Sequence, residues 1–251
     1  MAGKTPVVVN GQEFSCGVFL VDKPAGLSSF GIVKKIRWLL GVKKVGHAGT
    51  LDPFATGLLL VCAGRPATRH IDTFMQGRKT YQAILQLGVT TTTQDPEGEI
   101  VEQQPVPDFK LSELEMVIQA FAGPQMQAPP PYSAAKYKGK PLYYYARQGI
   151  MIEKEAKPIE IYRISVNNYD PAVARLTITV TCSRGTYIRV LAADIGHKLG
   201  CGAYLTALRR TRSGGFSVDD ALVGEQLLSE ENPLASLLAG MITVEQALVK
   251  C

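Results

Sequence analysis

The chain has 251 residues, with 27 Lys and Arg against 22 Asp and Glu, a formal net charge of +5. At 46% hydrophobic and 20% charged it can build a sizeable core, which excludes disordered, collagen-like and mucin-like classes. No apolar run approaches the roughly 18 residues of a membrane helix, and residues 1–14 lack the apolar stretch of an export signal.

Val18–Val21 predicts a short strand ending in the turn Asp22-Lys23-Pro24-Ala25-Gly26. Ser28 or Ser29 can cap the helix that follows, where Ile32, Val33, Ile36, Leu39 and Leu40 recur at helical spacing, and Gly41 stops it. Leu58–Cys62 is a buried strand or a short helix; its periodicity does not decide. Tyr81–Leu87 alternates as a strand, before a Thr-rich hairpin and the turn Asp95-Pro96-Glu97-Gly98. Leu111–Phe121 reads as a helix with Ser112 as its cap. The five prolines of Gly123–Pro141 rule out a central strand or a long helix there. Then come a short helix at Pro141–Gly149, strands at Ile159–Val166 and Leu176–Cys182, a helix at Tyr187–Leu199 and a strand at Leu205–Arg212. Val218–Lys250 reads as two short helices. Strands and helices mix without regular alternation, so the expected class is α+β, with a mixed, largely antiparallel sheet flanked by helices in one domain.

Charge is more patterned than its total. Gly31–Thr50 carries Lys34, Lys35, Arg37, Lys43 and Lys44 and no acid. Ser133–Arg163 interleaves seven bases with Tyr137, Tyr143, Tyr144, Tyr145 and Tyr162. Such segments can follow a phosphate backbone and offer stacking surfaces to unpaired bases, or serve simply as solvated faces. The five cysteines (Cys16, Cys62, Cys182, Cys201, Cys251) are scattered and form no C-x-x-C, which fits reduced thiols in a cytosol.

The densest chemistry lies in Gly46-His47-Ala48-Gly49-Thr50-Leu51-Asp52-Pro53-Phe54-Ala55-Thr56-Gly57. Its glycines allow close approach by a ligand, and a loop of this kind can hold one acid in a fixed pose. Gly41 and Gly46 have phosphate-loop spacing, but His47-Ala48 stands where Lys-Ser/Thr is required. The three histidines form no metal-spaced set, and there is no G-x-S-x-G. Taken alone, Asp52 is a turn former as readily as a catalytic acid.

Four segments in register resemble the bacterial TruB-type pseudouridine synthases, which convert a T-loop uridine of tRNA to pseudouridine. They are Asp22-Lys23-Pro24-Ala25-Gly26-Leu27-Ser28-Ser29, Gly46–Pro53, Lys79-Thr80-Tyr81 with Leu87-Gly88, and Cys182-Ser183-Arg184-Gly185-Thr186-Tyr187-Ile188-Arg189. The resemblance runs from about residue 17 to about 245. It implies Asp52 as the nucleophile, Tyr81 and Tyr187 as base contacts, Arg189 as the partner of Asp52 and Leu208 as the apolar wall of the uracil pocket. His47 would stand beside the flipped nucleotide, and residues 123–158 resemble an RNA-gripping insertion. The implied enzyme is a cytoplasmic monomer acting on the T-arm of tRNA with no cofactor and no metal. The resemblance departs at two places. Thr92 replaces the first Asp of the family's T-D-T-x-D loop while Asp95 keeps the second, and the chain ends after the helical segment 218–251, without the family's C-terminal RNA-binding PUA domain.

Isomerising uridine breaks a carbon–nitrogen bond, turns the base and forms a carbon–carbon bond. That chemistry asks for a fixed carboxylate and for aromatic surfaces that receive an unstacked base. Attack on the sugar and attack on the ring both stay open. A non-catalytic RNA-binding module, a synthase for another RNA and a small-molecule hydrolase built on Asp52 are the rival readings.

Overall fold

The computed structural model describes residues 7–9, 12–229 and 233–251. Of the stretch 1–14 read above for an export signal, residues 1–6, 10 and 11 lie outside them. The chain forms two compact units: residues 1–79 with 209–251, and residues 80–208.

In the first unit the strand Thr56–Ala63 is central. Its run Gly-Leu-Leu-Leu-Val-Cys-Ala is buried throughout, the pattern of a strand covered on both faces, and this decides the ambiguity at 58–62. Gly17–Lys23 pairs with it antiparallel, from Gly17 opposite Ala63 to Lys23 opposite Gly57. Val45–Ala48 also pairs with it antiparallel, and Arg209 and Arg210 pair parallel to Thr56 and Gly57. The helix Ser29–Leu40 turns Ile32, Val33, Ile36, Leu39 and Leu40 inward. Ser28 is its cap, accepting from Gly31 N–H at 3.1 Å, and Gly41 closes it in the left-handed conformation at φ 66°. Phe74, Phe216, Val244 and Ala247 join Val18, Leu20, Leu58 and Leu60 in one core, so the C-terminal segment completes the N-terminal unit.

That segment departs from expectation. Among the described residues it holds three α-helices, Gly224–Ser229, Pro233–Ala239 and Val244–Val249, a 3₁₀ turn at Val218–Asp220, and two two-residue strands. Leu222–Val223 and Met241–Ile242 both pair with Gly17–Lys23. Strands so short carry no periodicity to read.

In the second unit the sheet order runs from the first part of Ala203–Ser213 through Lys79–Leu87, Arg175–Cys182 and Lys157–Asp170 to Gly123–Gln127. Lys157–Asp170 is antiparallel to both of its neighbours. Pro124 is thereby confined to the last strand in that order, where a missing N–H is tolerated. The helices Leu111–Gln119 and Ile188–Lys198 pack on one another, and the first also packs on Lys157–Asp170. Ser112 is not the cap of its helix: Lys110 occupies that position, and the Glu113 carboxylate accepts from its N–H at 2.8 Å. The class is α+β with mixed, largely antiparallel strands, as expected from the sequence. Among the described residues no helix is long and apolar enough to cross a membrane.

Candidate active site

Asp52 sits half-buried in the loop 49–55, between the strands Val45–Ala48 and Thr56–Ala63. Three side chains of the same unit grip the backbone around it. Ser29 Oγ accepts from Leu51 N–H at 2.8 Å and donates to Leu51 C=O at 3.0 Å. Lys23, fully buried, donates to the carbonyls of Pro24 and Leu27 at 2.7 Å and of Pro53 at 3.2 Å. Arg210, also buried, donates through Nε to Leu58 C=O at 2.7 Å and through Nη2 to Gly49 C=O at 3.1 Å. Gly26 N–H donates to Pro53 C=O at 2.9 Å, and Ala55 N–H closes a turn on Asp52 C=O at 3.1 Å.

Sequestering two cations from water costs several kcal/mol each unless their protons are bonded. Each cation gives one of its bonds to a carbonyl of the Asp52 loop, Lys23 to Pro53 and Arg210 to Gly49, so contacts that satisfy the cations also fix the loop. A carboxylate carried on such a frame is held in pose before a substrate arrives. Gly57 shows how tight the frame is. It has φ +100°, and a Cβ placed there would lie 2.3 Å from the Arg210 carbonyl oxygen. Asp22, in the opening motif, takes a two-pronged contact from Arg209 at 3.0 and 2.6 Å.

His47 lies in the strand Val45–Ala48 opposite Val61, not in a loop as its glycine-rich surroundings imply. Burial, and after it the positive charge of Arg210, hold its imidazole below the ordinary histidine pKa, so it is neutral at pH 7. Its Nδ1 is buried and makes no hydrogen bond among the described residues.

In the second unit Tyr81 is buried near the start of Lys79–Leu87. The hydroxyls of Thr80 and Thr181 meet at 3.1 Å, which sets this end of the strand beside the end of Arg175–Cys182. From there the chain turns through Gly185 (φ 84°) to Tyr187, the cap residue of the helix Ile188–Lys198. The Gln127 amide grips the Tyr187 backbone from both sides: Tyr187 N–H donates to Oε1 at 2.7 Å, and Nε2 donates to Tyr187 C=O at 3.1 Å. The phenol is half-buried. Leu208 is buried on the strand Ala203–Ser213.

Arg189, in the first turn of that helix, is only 3% exposed. Its Nη1 donates to Thr93 C=O and its Nη2 to Tyr132 C=O, both at 2.8 Å, and its Nε lies 3.5 Å from Asp95 Oδ2. Asp95 is fixed in turn: its Oδ1 accepts from Thr93 Oγ1 and from Glu97 N–H. A generic helix arginine faces solvent; this one is a buried junction of three chain segments.

Sequence reasoning gave Asp95 no role beyond its place in the loop and Ser29 none beyond a possible helix cap in the opening motif, and did not single out Gln127 or Arg210. A signal was available for Arg210, an arginine at an inward position of an alternating strand. Gln127 gives no such signal, since its partner lies 60 residues away.

Residues 128–156 are built around a small hairpin, Lys136–Tyr137 with Lys140–Pro141, and the helix Leu142–Ala146. Lys138 and Gly139 both take positive φ at its turn, as a two-residue hairpin loop requires. Lys140 Nζ lies 4.0 Å from the Tyr144 ring centroid, and Arg147 lies 5.5 Å from that of Tyr143. Both tyrosines are exposed.

The fold is that of the pseudouridine synthases. A chain in the solved structure titled "Crystal Structure of a Cbf5-Nop10-Gar1 Complex" matches with a TM-score of 0.69 and 27% identity over 92% of this chain and 61% of its own. One from "Structure of H/ACA RNP bound to a substrate RNA containing 2'-deoxyuridine" matches at 0.67 and 25%, over 92% of this chain and 60% of its own. This chain thus spans about three fifths of those structural relatives. In sequence, the tRNA pseudouridine synthase B of Desulfotalea psychrophila is 55% identical over 223 residues, covering 88% of this chain and 91% of the relative. That of Chromobacterium violaceum is 49% identical over 205 residues, covering 82% and 66%. Residues 37–188 match the TruB family pseudouridylate synthase N-terminal domain, and 189–248 the tRNA pseudouridylate synthase B C-terminal domain. The chain belongs to the TruB family of pseudouridylate synthases.

Proposed function

We propose that this protein is a tRNA pseudouridine synthase that isomerises the T-loop uridine at position 55 of tRNA. The observation that carries the reading is the loop of Asp52, a half-buried carboxylate whose backbone is gripped by Lys23, Ser29 and Arg210 in a chain of this family. The reaction rearranges bonds within one nucleoside, so what it asks of the protein is a placed nucleophile and a place for the base.

In this reading Asp52 is the nucleophile. Tyr81 and Tyr187 receive the uracil, Leu208 walls it and His47 stands by the vacated position as a neutral ring. Arg189 is carried over as the electrostatic partner of Asp52. Its support is local: a guanidinium held rigid by Asp95, Thr93 and Tyr132 is a charge that stays where it is put. Flipping a base out of its stack costs on the order of a few kcal/mol, and stacking on one aromatic returns roughly 1–3 kcal/mol. The tyrosine-rich segment 123–158 grips the RNA and adds affinity that falls with salt. The whole chain, 1–251, acts as the catalytic domain, as a monomer in the cytoplasm.

The test uses tRNA transcripts tritiated at C5 of uridine, because forming the new carbon–carbon bond expels that hydrogen. The expected result is release of one tritium per tRNA, lost when the T-loop uridine alone is replaced by cytidine. No release, or release that ignores this replacement, contradicts the reading.

A further inference from the structure

The helix Ser29–Leu40 has a second face that its core contacts do not use. Phe30 and Trp38 stand on it, 51% and 59% exposed, with exposed Lys34 between them. Residues 30, 34 and 38 follow helical spacing, a stripe about 12 Å long. Lys34 Nζ lies 5.1 Å from the Phe30 ring centroid, Arg37 5.8 Å from the same ring, and Lys35 Nζ 5.5 Å from the Trp38 ring. Beyond Gly41, Lys43 and Lys44 are exposed, and Gly64 N–H donates to Lys44 C=O at 2.7 Å, bringing exposed Arg65 beside them. From Lys23 to Leu51 the chain contains no acid.

Large aromatics flanked by cations on a chain segment that contains no acid combine two interactions: base stacking and phosphate neutralisation. The helix is also tied at one end to the loop of Asp52 and at the other to the strand that leads into it. Ser29 holds Leu51, next to Asp52, and Arg37 Nη2 donates at 3.2 Å to Val45 C=O on the strand that bears His47. Trp38 is nine residues from Ser29, about 14 Å along the axis. RNA held at Asp52 therefore has only a few nucleotides to travel before it meets this face.

We propose that this face is a second contact surface for the substrate RNA, with phosphates on Lys34, Lys35, Lys43 and Lys44 and an unpaired base stacked on Trp38. The inference rests on the tRNA reading above and is separate from the tyrosine-rich segment 123–158.

Trp38 is the chain's single tryptophan, so its fluorescence reports on this face alone. Titrating the full chain with tRNA is expected to quench it at one RNA per protein. Trp38→Ala is expected to weaken tRNA binding about 5- to 150-fold, the worth of one base–aromatic stack, while Trp38→Phe keeps most of the affinity. Replacing Lys34 and Lys35 together by Ala should lower the salt dependence of binding by about one to two phosphate contacts. An isolated T-arm stem-loop that quenches as tRNA does would place the stacked base in that arm. Quenching by whole tRNA alone would place it elsewhere in the same molecule; either result upholds the surface. If Trp38→Ala does not fold, the wild-type quench still decides. A wild type that makes pseudouridine while tRNA leaves its fluorescence unchanged overturns this surface and spares the parent reading. The same holds if folded variants bind tRNA with unchanged affinity and salt slope, or if only anionic phosphatidylserine vesicles shift the Trp38 emission. A wild type that neither binds nor modifies tRNA defeats both.

Discussion

Arg189 and Asp95 are buried against one another, with Nε and Oδ2 3.5 Å apart and both side chains almost without access to solvent. The pair joins a helix N-terminus to a turn 94 positions earlier, and the carbonyls of Thr93 and Tyr132 each take one of the other guanidinium protons. Charges so placed are costly unless every partner is present, and the cost is what makes the geometry stiff.

Removing one partner of such a pair leaves the other buried and uncompensated. Asp95→Ala is expected to destabilise the fold by about 3–5 kcal/mol, and Asp95→Asn, which keeps an acceptor for Glu97 N–H, by less. Both should lower the turnover of tritiated tRNA. Chemical denaturation with the turnover assay checks this; an Asp95→Ala protein of wild-type stability would show the pair to be dispensable.

The loop of Asp52 offers a finer probe. Ser29→Ala removes one hydroxyl and leaves both the N–H and the C=O of Leu51 without their partner. The expected loss is about 1–3 kcal/mol of stability, with turnover reduced more than tRNA affinity because the pose of Asp52, the proposed nucleophile, is what loosens. Comparing kcat with KM separates the two effects. Ser29→Thr, which keeps the hydroxyl, should restore part of kcat.

His47 gives the protein an acid sensitivity of definite sign. Burial and the Arg210 charge lower its pKa in the folded state, so the unfolded chain binds its proton more readily. Stability contributed by the neutral ring is present above the unfolded value of about 6.5 and is lost as pH falls through the folded value. His47→Gln should flatten the acid side of the stability–pH curve below about pH 6.5 and leave the curve above it unchanged in slope. Thermal unfolding across that range is the measurement.

The elements themselves were legible wherever local physics decides. The cap at Ser28, the stop at Gly41 and the inward stripe of Ile32, Val33, Ile36, Leu39 and Leu40 match the helix observed. The alternation of Tyr81–Leu87 gave its strand, and prolines excluded the regular elements they exclude. What stayed hidden depends on partners distant in the chain. Nothing near Gln127 announces that it holds Tyr187, and the environment of Arg189 is assembled from positions 93, 95 and 132. The strands at 222–223 and 241–242 exist because Gly17–Lys23 offers them an edge. The four motifs located the candidate chemistry; the side chains that stiffen it are tertiary facts.

The most direct measurement is made on Asp52→Asn and Asp52→Ala, assaying tritium release from C5-labelled tRNA alongside binding of the same tRNA. Both variants are expected to fold, to bind tRNA within a few-fold of the wild type and to form no pseudouridine. Pseudouridine formed by either at a rate near that of the wild type would contradict the role proposed for Asp52.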